Sequence, residues 1–291
     1  MSLTTEKFYV NSQVPDSIYY NGAAVTSVHY NNKQVWATYP WAGWADASWK
    51  DIYDLCKAKQ AGTITNYPSD VTLGLTKTLR FSPAYTDTYA TVSYQEIDMI
   101  LIGIDVDGPG VLTFHSANII DKCSVSGYYE AGQKNGDDSY IYTVSTANNL
   151  RTFYNNCEAK NYIKPLAKVS NTYSTTGERH TITQTYPVWL PSAYEISYGT
   201  PENERTEGVT PGKYTGYYDR ASRRAKTWLT PTSGCADGYF LRTLEHVEGK
   251  HGDRYQYNLG YYIDSSGVKQ SFLSHSTIGN VAGFAPAFAI G

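Results

Sequence analysis

Gly283-Phe284-Ala285-Pro286-Ala287-Phe288-Ala289-Ile290-Gly291 closes the sequence without a single charged side chain. Chain ends ordinarily fray into water. A segment of Phe, Pro, Ala and Ile offers water only its backbone, so it is expected to be buried, with the fold closing upon it. Upstream stands a second apolar block, Tyr239-Phe240-Leu241-Arg242-Thr243. Between the two blocks the chain turns polar and glycine-punctuated, running Leu244-Glu245-His246-Val247-Glu248-Gly249-Lys250-His251-Gly252-Asp253-Arg254-Tyr255-Gln256-Tyr257-Asn258-Leu259-Gly260-Tyr261-Tyr262. Its rings and adaptable polar groups are those of a recognition surface, and the apolar bookends would supply the rigid frame. Surface loops over a sheet have the same composition. On the recognition reading the candidate ligand-binding residues are His246, His251, Asp253, Arg254, Tyr255, Tyr257, Asn258 and Tyr261.

The rest of the chain, 291 residues in all, holds one large domain or two smaller ones. A formal net charge of -3 points away from nucleic acid and from anionic membrane surfaces. No apolar run is long enough for a membrane span. Met1-Ser2-Leu3-Thr4-Thr5-Glu6 carries neither the basic nor the apolar region of a secretory signal, so folding in a cytoplasm is expected. Cys56, Cys123, Cys157 and Cys235 are widely separated, without metal-site spacing, and are expected to be reduced and mostly buried. Tyrosine is the compositional outlier, with 28 against 8 Phe and 2 Met. It suits recognition surfaces and β-strands alike, and recognition is favoured where Tyr clusters in glycine-rich loops.

Tyr20-Asn21-Gly22-Ala23-Ala24-Val25 recurs as Tyr30-Asn31-Asn32-Lys33-Gln34-Val35. Asn-Gly and Asn-Asn both accept positive φ, so each copy predicts a tight hairpin. Trp36, Trp41, Trp44 and Trp49 follow, either as an aromatic hinge or as an oligomer contact. Ser48 and Asp51 predict a capped helix over 49–61 with Trp49, Ile52, Tyr53 and Cys56 on one face and Gly62 as its stop. Strands are expected near 71–75, 77–81, 89–93, 96–105 and 111–116. A second helix is expected near 145–157, where Leu150, Phe153, Tyr154 and Cys157 recur at helical spacing. Ser192-Ala193-Tyr194-Glu195 predicts a capping box opening a short helix. From about residue 199 onward, long irregular stretches point to functional loops.

The order of these features resembles the C-type-lectin-like domain family of phage tail proteins and Gram-positive bacterial surface proteins. The resemblance rests on a strand ending Leu112-Thr113-Phe114, a helix with Asn149-Leu150-Arg151, the segment Val188 to Ile196, the Leu241-Arg242-Thr243 block and the Pro286-Ala287-Phe288 ending. It spans roughly residues 70–291. It departs at Thr243-Leu244, where the family often has Ser-Pro, so the turn after the arginine is expected to differ. The N-terminal repeat resembles short modules of phage tail proteins. The resemblance implies an α+β fold: a C-type-lectin-like domain over 46–291 and a small N-terminal β-hairpin module over 1–45 for attachment or oligomerisation. It also implies a phage or prophage tail protein, made in a bacterial cytoplasm and carried on the virion, that binds a host cell-surface glycan or protein. Other tail proteins and further copies of the chain, a trimer first, are the implied partners. In some members the stretch between the two apolar blocks is diversified by a retroelement, and His246, His251, Asp253, Tyr255, Tyr257, Asn258 and Tyr261 are compatible with that history.

Enzyme signatures are sparse. His29, His115, His180, His246, His251 and His275 form no metal-protease motif, and no nucleophile elbow, P-loop or dinucleotide fingerprint occurs. Glu195, Glu202, Glu204 and Glu207 are the carboxylates open to glycoside hydrolysis, a pairing that spacing alone does not decide. Asp105 and Asp107 read as a hairpin turn, with calcium as the other reading. No cofactor and no metal is expected. Receptor binding is thus weighed against a structural virion role and against a glycan-degrading tail enzyme.

Overall fold

A computed structural model describes residues 2–3, 8–9, 18–20, 23–25, 27–30, 33–37, 41, 43–86, 93–123, 144–173, 179–197, 213–230, 235–245, 250–251, 254–255, 259–271 and 281–291. Its internal contacts divide the chain into Met1–Val71 and Thr72–Gly291. The first helix, expected in the larger domain, is thereby grouped with the N-terminal residues.

In the first unit, β1 (Ser2–Leu3) pairs with β2 (Phe8–Tyr9), β3 (Ile18–Tyr20) with β4 (Ala23–Val25), and β5 (Ser27–Tyr30) with β6 (Lys33–Ala37), all antiparallel. Tyr20 faces Ala23 and Tyr30 faces Lys33, so both copies of the repeat are hairpins joined through two residues. Helix α1 (Trp49–Gln60) begins at a complete capping box. Ser48 N–H donates to the Asp51 carboxylate at 2.8 Å, and Asp51 N–H donates to Ser48 Oγ at 3.2 Å. Trp49, Ile52, Leu55 and Cys56 are its buried residues, whereas Tyr53, expected on that face, is half-buried. The helix stops before Gly62, whose φ of 70° favours a residue without Cβ. The tryptophan cluster is tied down within the same unit: Trp41 Nε1 donates to Asp70 at 2.9 Å, and Trp44 N–H donates to the same carboxylate at 2.7 Å.

The second unit is mixed α+β, sheets with few helices. Its elements are β7 (Thr76–Thr86), β8 (Ser93–Ile104), β9 (Leu112–Ser116), β10 (Asp121–Cys123), α2 (Val144–Asn156), β11 (Leu166–Tyr173), β12 (Arg179–Tyr186), β13 (Val188–Trp189), α3 (Ala221–Arg224), β14 (Cys235–Glu245), β15 (Lys250–His251), β16 (Arg254–Tyr255), β17 (Leu259–Asp264), β18 (Lys269–Ser271), β19 (Val281–Phe284) and β20 (Ala287–Ile290). Val71 to Leu75, expected as a strand, is a turn: Gly74 has φ 92°, and Leu75 N–H returns to Thr72 O. The expected 89–93 strand lies mostly outside the described residues. The Ser192 capping box is present, with Ser192 N–H on Glu195 at 2.8 Å and Glu195 N–H on Ser192 Oγ at 3.2 Å. It opens only a single turn, because Ser197 takes φ 60° and reverses the chain.

Two five-stranded sheets organise this unit, ordered β13-β20-β9-β8-β7 and β10-β19-β14-β17-β18. The closing segment belongs to both. β20 lies between β13 and β9, while β19 lies between β10 and β14, and the chain crosses from one sheet to the other at Ala285-Pro286. The β9–β10 segment makes the same crossing alongside it: Ser116 N–H donates to Pro286 O at 2.9 Å and Ile120 N–H donates to Phe284 O at 3.0 Å. Every residue from Phe284 to Ile290 is buried. Phe284 stacks on Tyr85 of β7 at 6.5 Å, and Phe153 of α2 meets Phe81 edge-on at 5.1 Å. A second cluster gathers Ile102, Ile119, Ile196, Tyr239, Leu241 and Ala285.

Candidate functional site

Strand β14 fixes the base of the polar stretch. It runs parallel to β19 (Tyr239 against Gly283) and antiparallel to β17. The β14–β17 register holds from Gly238 to Phe240, breaks, and resumes at Leu244↔Gly260 and Glu245↔Leu259. Leu241, Arg242 and Thr243 therefore face Tyr261 alone, a bulge that turns the strand away from its neighbour. The expected turn after the arginine is thus a bulge within a continuing strand. Arg242 N–H donates to Pro191 O at 3.0 Å instead of to β17. Its guanidinium donates to Leu190 O at 2.8 Å and to Glu195 Oε2 at 3.0 Å. Tyr239, Phe240, Leu241 and Arg242 are all buried.

Beyond this base the described β14–β17 pairing reaches Glu245↔Leu259. Between these residues in sequence β15 and β16 pair, Lys250 with Tyr255 and His251 with Arg254. The topology thus brings His251, Arg254 and Tyr255 into one small ribbon. Tyr261 lies apart from them in β17, opposite the bulge and paired with Ser271 of β18. His246, Asp253, Tyr257 and Asn258 lie outside the described residues. The β17–β18 turn is held by Asp264, whose carboxylate accepts from Ser266 N–H at 3.0 Å, Val268 N–H at 2.9 Å and Gln270 Nε2 at 2.8 Å.

Behind the base lies a set of buried charges that the sequence does not single out. Lys168 of β11 donates to Glu195 Oε1 at 2.9 Å, to Asp107 Oδ1 at 3.3 Å and to Tyr214 Oη at 3.2 Å. Its Nζ stands 4.1 Å from the centre of the Trp189 ring. Asp107 Oδ2 accepts from Tyr214 Oη at 2.8 Å and from Thr113 Oγ1 at 2.5 Å. The side chains of Lys168, Asp107, Glu195 and Arg242 are at most 1% exposed. Burial pushes the Glu195 carboxyl up, but Arg242 and Lys168 outweigh it and hold the group below its ordinary value. Burial, with Asp107 and Glu195 nearby, pushes the Tyr214 phenol well up, so it remains a proton donor. Glu195 is thus bound into the scaffold, while Glu202, Glu204 and Glu207 lie outside the described residues. The Asp107 carboxylate is taken by Lys168, Tyr214 and Thr113, and Asp105 Oδ1 accepts from Gly110 N–H at 2.7 Å. Asp105 and Asp107 accordingly serve the loop and the core. Among the described residues, no three His, Cys, Asp or Glu gather as metal ligands.

Leu166, Lys168 and Val169 are all buried beside exposed Ala167, so no alternation along β11 points the lysine inward. Its partners are remote in sequence, and no local spacing reveals them. A neighbouring cluster joins His115, Tyr218 and Tyr239. His115 Nδ1 meets Tyr218 Oη, His115 Nε2 lies 3.0 Å from Ala285 O, and Tyr239 Oη donates to Arg224 O at 3.1 Å. Burial, followed by the charge of Lys226, pulls the His115 imidazole well down. Tyr214, Tyr217 and Tyr218, in a glycine-rich stretch of the kind expected to favour recognition, are core residues.

No family model matches the chain, and no curated protein or solved structure matches it.

Proposed function

We propose that the chain is a non-enzymatic receptor-binding protein of a phage or prophage tail, displaying residues 246–258 as a ligand-binding surface on a C-type-lectin-like scaffold. The supporting observation is how the stretch is anchored. It connects the paired strands β14 and β17, whose base is locked by the Arg242 bulge and by the closing segment, so its sequence can change while the core stays fixed. Its composition of His, Asp, Arg, Tyr and Asn suits both sugar hydroxyls and protein epitopes. The same separation suits a stretch diversified by a retroelement. The N-terminal hairpins would attach the protein to other tail proteins or to further copies of itself.

The test is adsorption of the purified full chain to susceptible Gram-positive cells. Saturable binding is expected, with a tenfold or greater weakening in the triple variant His251→Ala, Arg254→Ala, Tyr255→Ala while its circular dichroism and melting point stay unchanged. Absence of adsorption to every susceptible strain, or full adsorption by the folded triple variant, rejects the reading in favour of a structural virion role. Release of sugar fragments from host wall polysaccharide would instead show a glycan-degrading enzyme.

A further inference from the structure

We infer that Lys168 and Asp107 are a site of covalent modification, at which the lysine Nζ and the aspartate Cγ condense into an intramolecular isopeptide bond with Glu195 as the catalytic acid–base. The inference is independent of the ligand reading above and rests on the contents of the buried cluster.

A lysine ammonium sits in the dry core within hydrogen-bond reach of two carboxylates, 2.9 Å from Glu195 and 3.3 Å from Asp107. The two carboxylates differ in their environments. Glu195 is pinned by Arg242 at 3.0 Å and by Ser192 N–H at 2.8 Å, which hold it in place as a proton acceptor facing Nζ. Asp107 has no cationic partner among the described contacts other than Lys168. Its Oδ2 receives two hydroxyl donors, Tyr214 at 2.8 Å and Thr113 at 2.5 Å. Those donors face the oxygen on which negative charge grows when an amine adds to the carboxyl carbon, the arrangement that lowers the barrier to acyl transfer. The Trp189 ring at 4.1 Å and the Tyr214 ring at 5.7 Å cover the nitrogen and exclude water.

The chemistry balances without any co-reactant. One proton of the Lys168 ammonium passes along its hydrogen bond to Asp107 Oδ1, and the freed amine adds to Cγ of the resulting carboxylic acid, forming the C–N bond. The tetrahedral carbon then loses Oδ1 as the C–O bond breaks. Two of the three ammonium protons leave with that oxygen as water, the second relayed through Glu195, which ends unchanged. In water this condensation is opposed by the stability of the separate ions. In the core the balance shifts, because the product removes two charges that are costly to bury and releases water to bulk. Fixed proximity supplies the effective concentration. The bond would staple the loop after β8 to β11, 61 residues apart in sequence, directly behind the base of the displayed ribbon.

The experiment is intact-mass and peptide mass spectrometry on the purified full chain. The expected result is a folded protein lighter than its sequence mass by one water, yielding on digestion a branched peptide that joins Asp107 to Lys168. Lys168→Arg, which keeps the charge and the hydrogen bonds but lacks the nucleophile, is expected at full sequence mass with a lower melting point. Glu195→Gln is expected to leave most of the protein unlinked. The inference is overturned if the wild-type chain has its full sequence mass, or if the missing water maps instead to a succinimide at Asp107-Gly108 or Asp237-Gly238. Because the wild-type measurement decides the matter, a variant that fails to fold does not rescue the proposal.

Discussion

Lys226 shows how a single buried charge sets the pH behaviour of this core. Its ammonium donates to Ser116 O and lies 5.7 Å from the ring centre of Tyr239, and burial lowers its pKa from 10.5 to about 7. Between those values the unfolded chain binds more protons than the folded one, so stability rises with pH across the window and the full penalty applies below about pH 7. Lys226→Met is therefore expected to stabilise the protein by about 3–5 kcal/mol at pH 6 and by little at pH 11. That gain reflects about 1.36 kcal/mol for each tenfold loss of proton affinity on folding, less one lost hydrogen bond. Denaturant titrations across that range check this; a variant that keeps the wild-type slope between pH 7 and 10.5 contradicts it. His115, also held neutral by burial, keeps its own acid sensitivity below its ordinary value of 6.5 in both proteins. Arg242 is the contrasting case: its charge is matched by Glu195, and removing it would leave Lys168 alone to balance two buried carboxylates, Glu195 and Asp107.

Among the elements, the parallel pair β14–β19 determines how closely the two halves of the larger unit approach. A Cβ on Gly283 would stand 1.8 Å from Ile119 Cγ2 and 3.1 Å from Gly238 O, and one on Gly238 would stand 2.3 Å from Ile263 O. Gly283→Ala is expected to cost at least 1–3 kcal/mol, roughly the cost of overpacking a filled core. Gly62→Ala, at φ 70° with nothing within 4 Å, is expected to cost only about 1 kcal/mol. Melting both variants separates steric from conformational causes; equal shifts would contradict the packing account. Elements governed by local chemistry are legible in the sequence. The capping box at Ser48, the spacing of Leu150, Phe153 and Cys157, and the two-residue hairpins of the repeat all depend on near neighbours. The β14 bulge is not legible, because Arg242 leaves its ladder for Pro191 and Glu195, partners from another part of the chain. Residues 71–75 form a turn instead of the expected strand because Gly74 and the return to Thr72 override a short apolar pattern.

For the molecule as a whole, the closing segment is legible as a buried one, but its passage between two sheets is not. That passage depends on β9 and β10 making the same crossing alongside it. The tyrosines teach a related lesson, since Tyr214 and Tyr218 sit in glycine-rich sequence yet direct their hydroxyls to Asp107 and His115 inside the core. Composition identifies residues fit for recognition without telling which of them the fold keeps for its own core. The central claim is that the frame, Tyr239–Arg242 with Phe284–Ile290, is energetically separate from residues 246–258. Its most direct test is the thermal midpoint of a chain in which 246–258 is replaced by an unrelated Gly/Ser/Asn-rich segment of the same length. One cooperative transition is expected, shifted by no more than about 4 °C, a change of about 1 kcal/mol or less for a domain of this size. Loss of the cooperative transition, or a downward shift as large as that of Gly283→Ala, would contradict it.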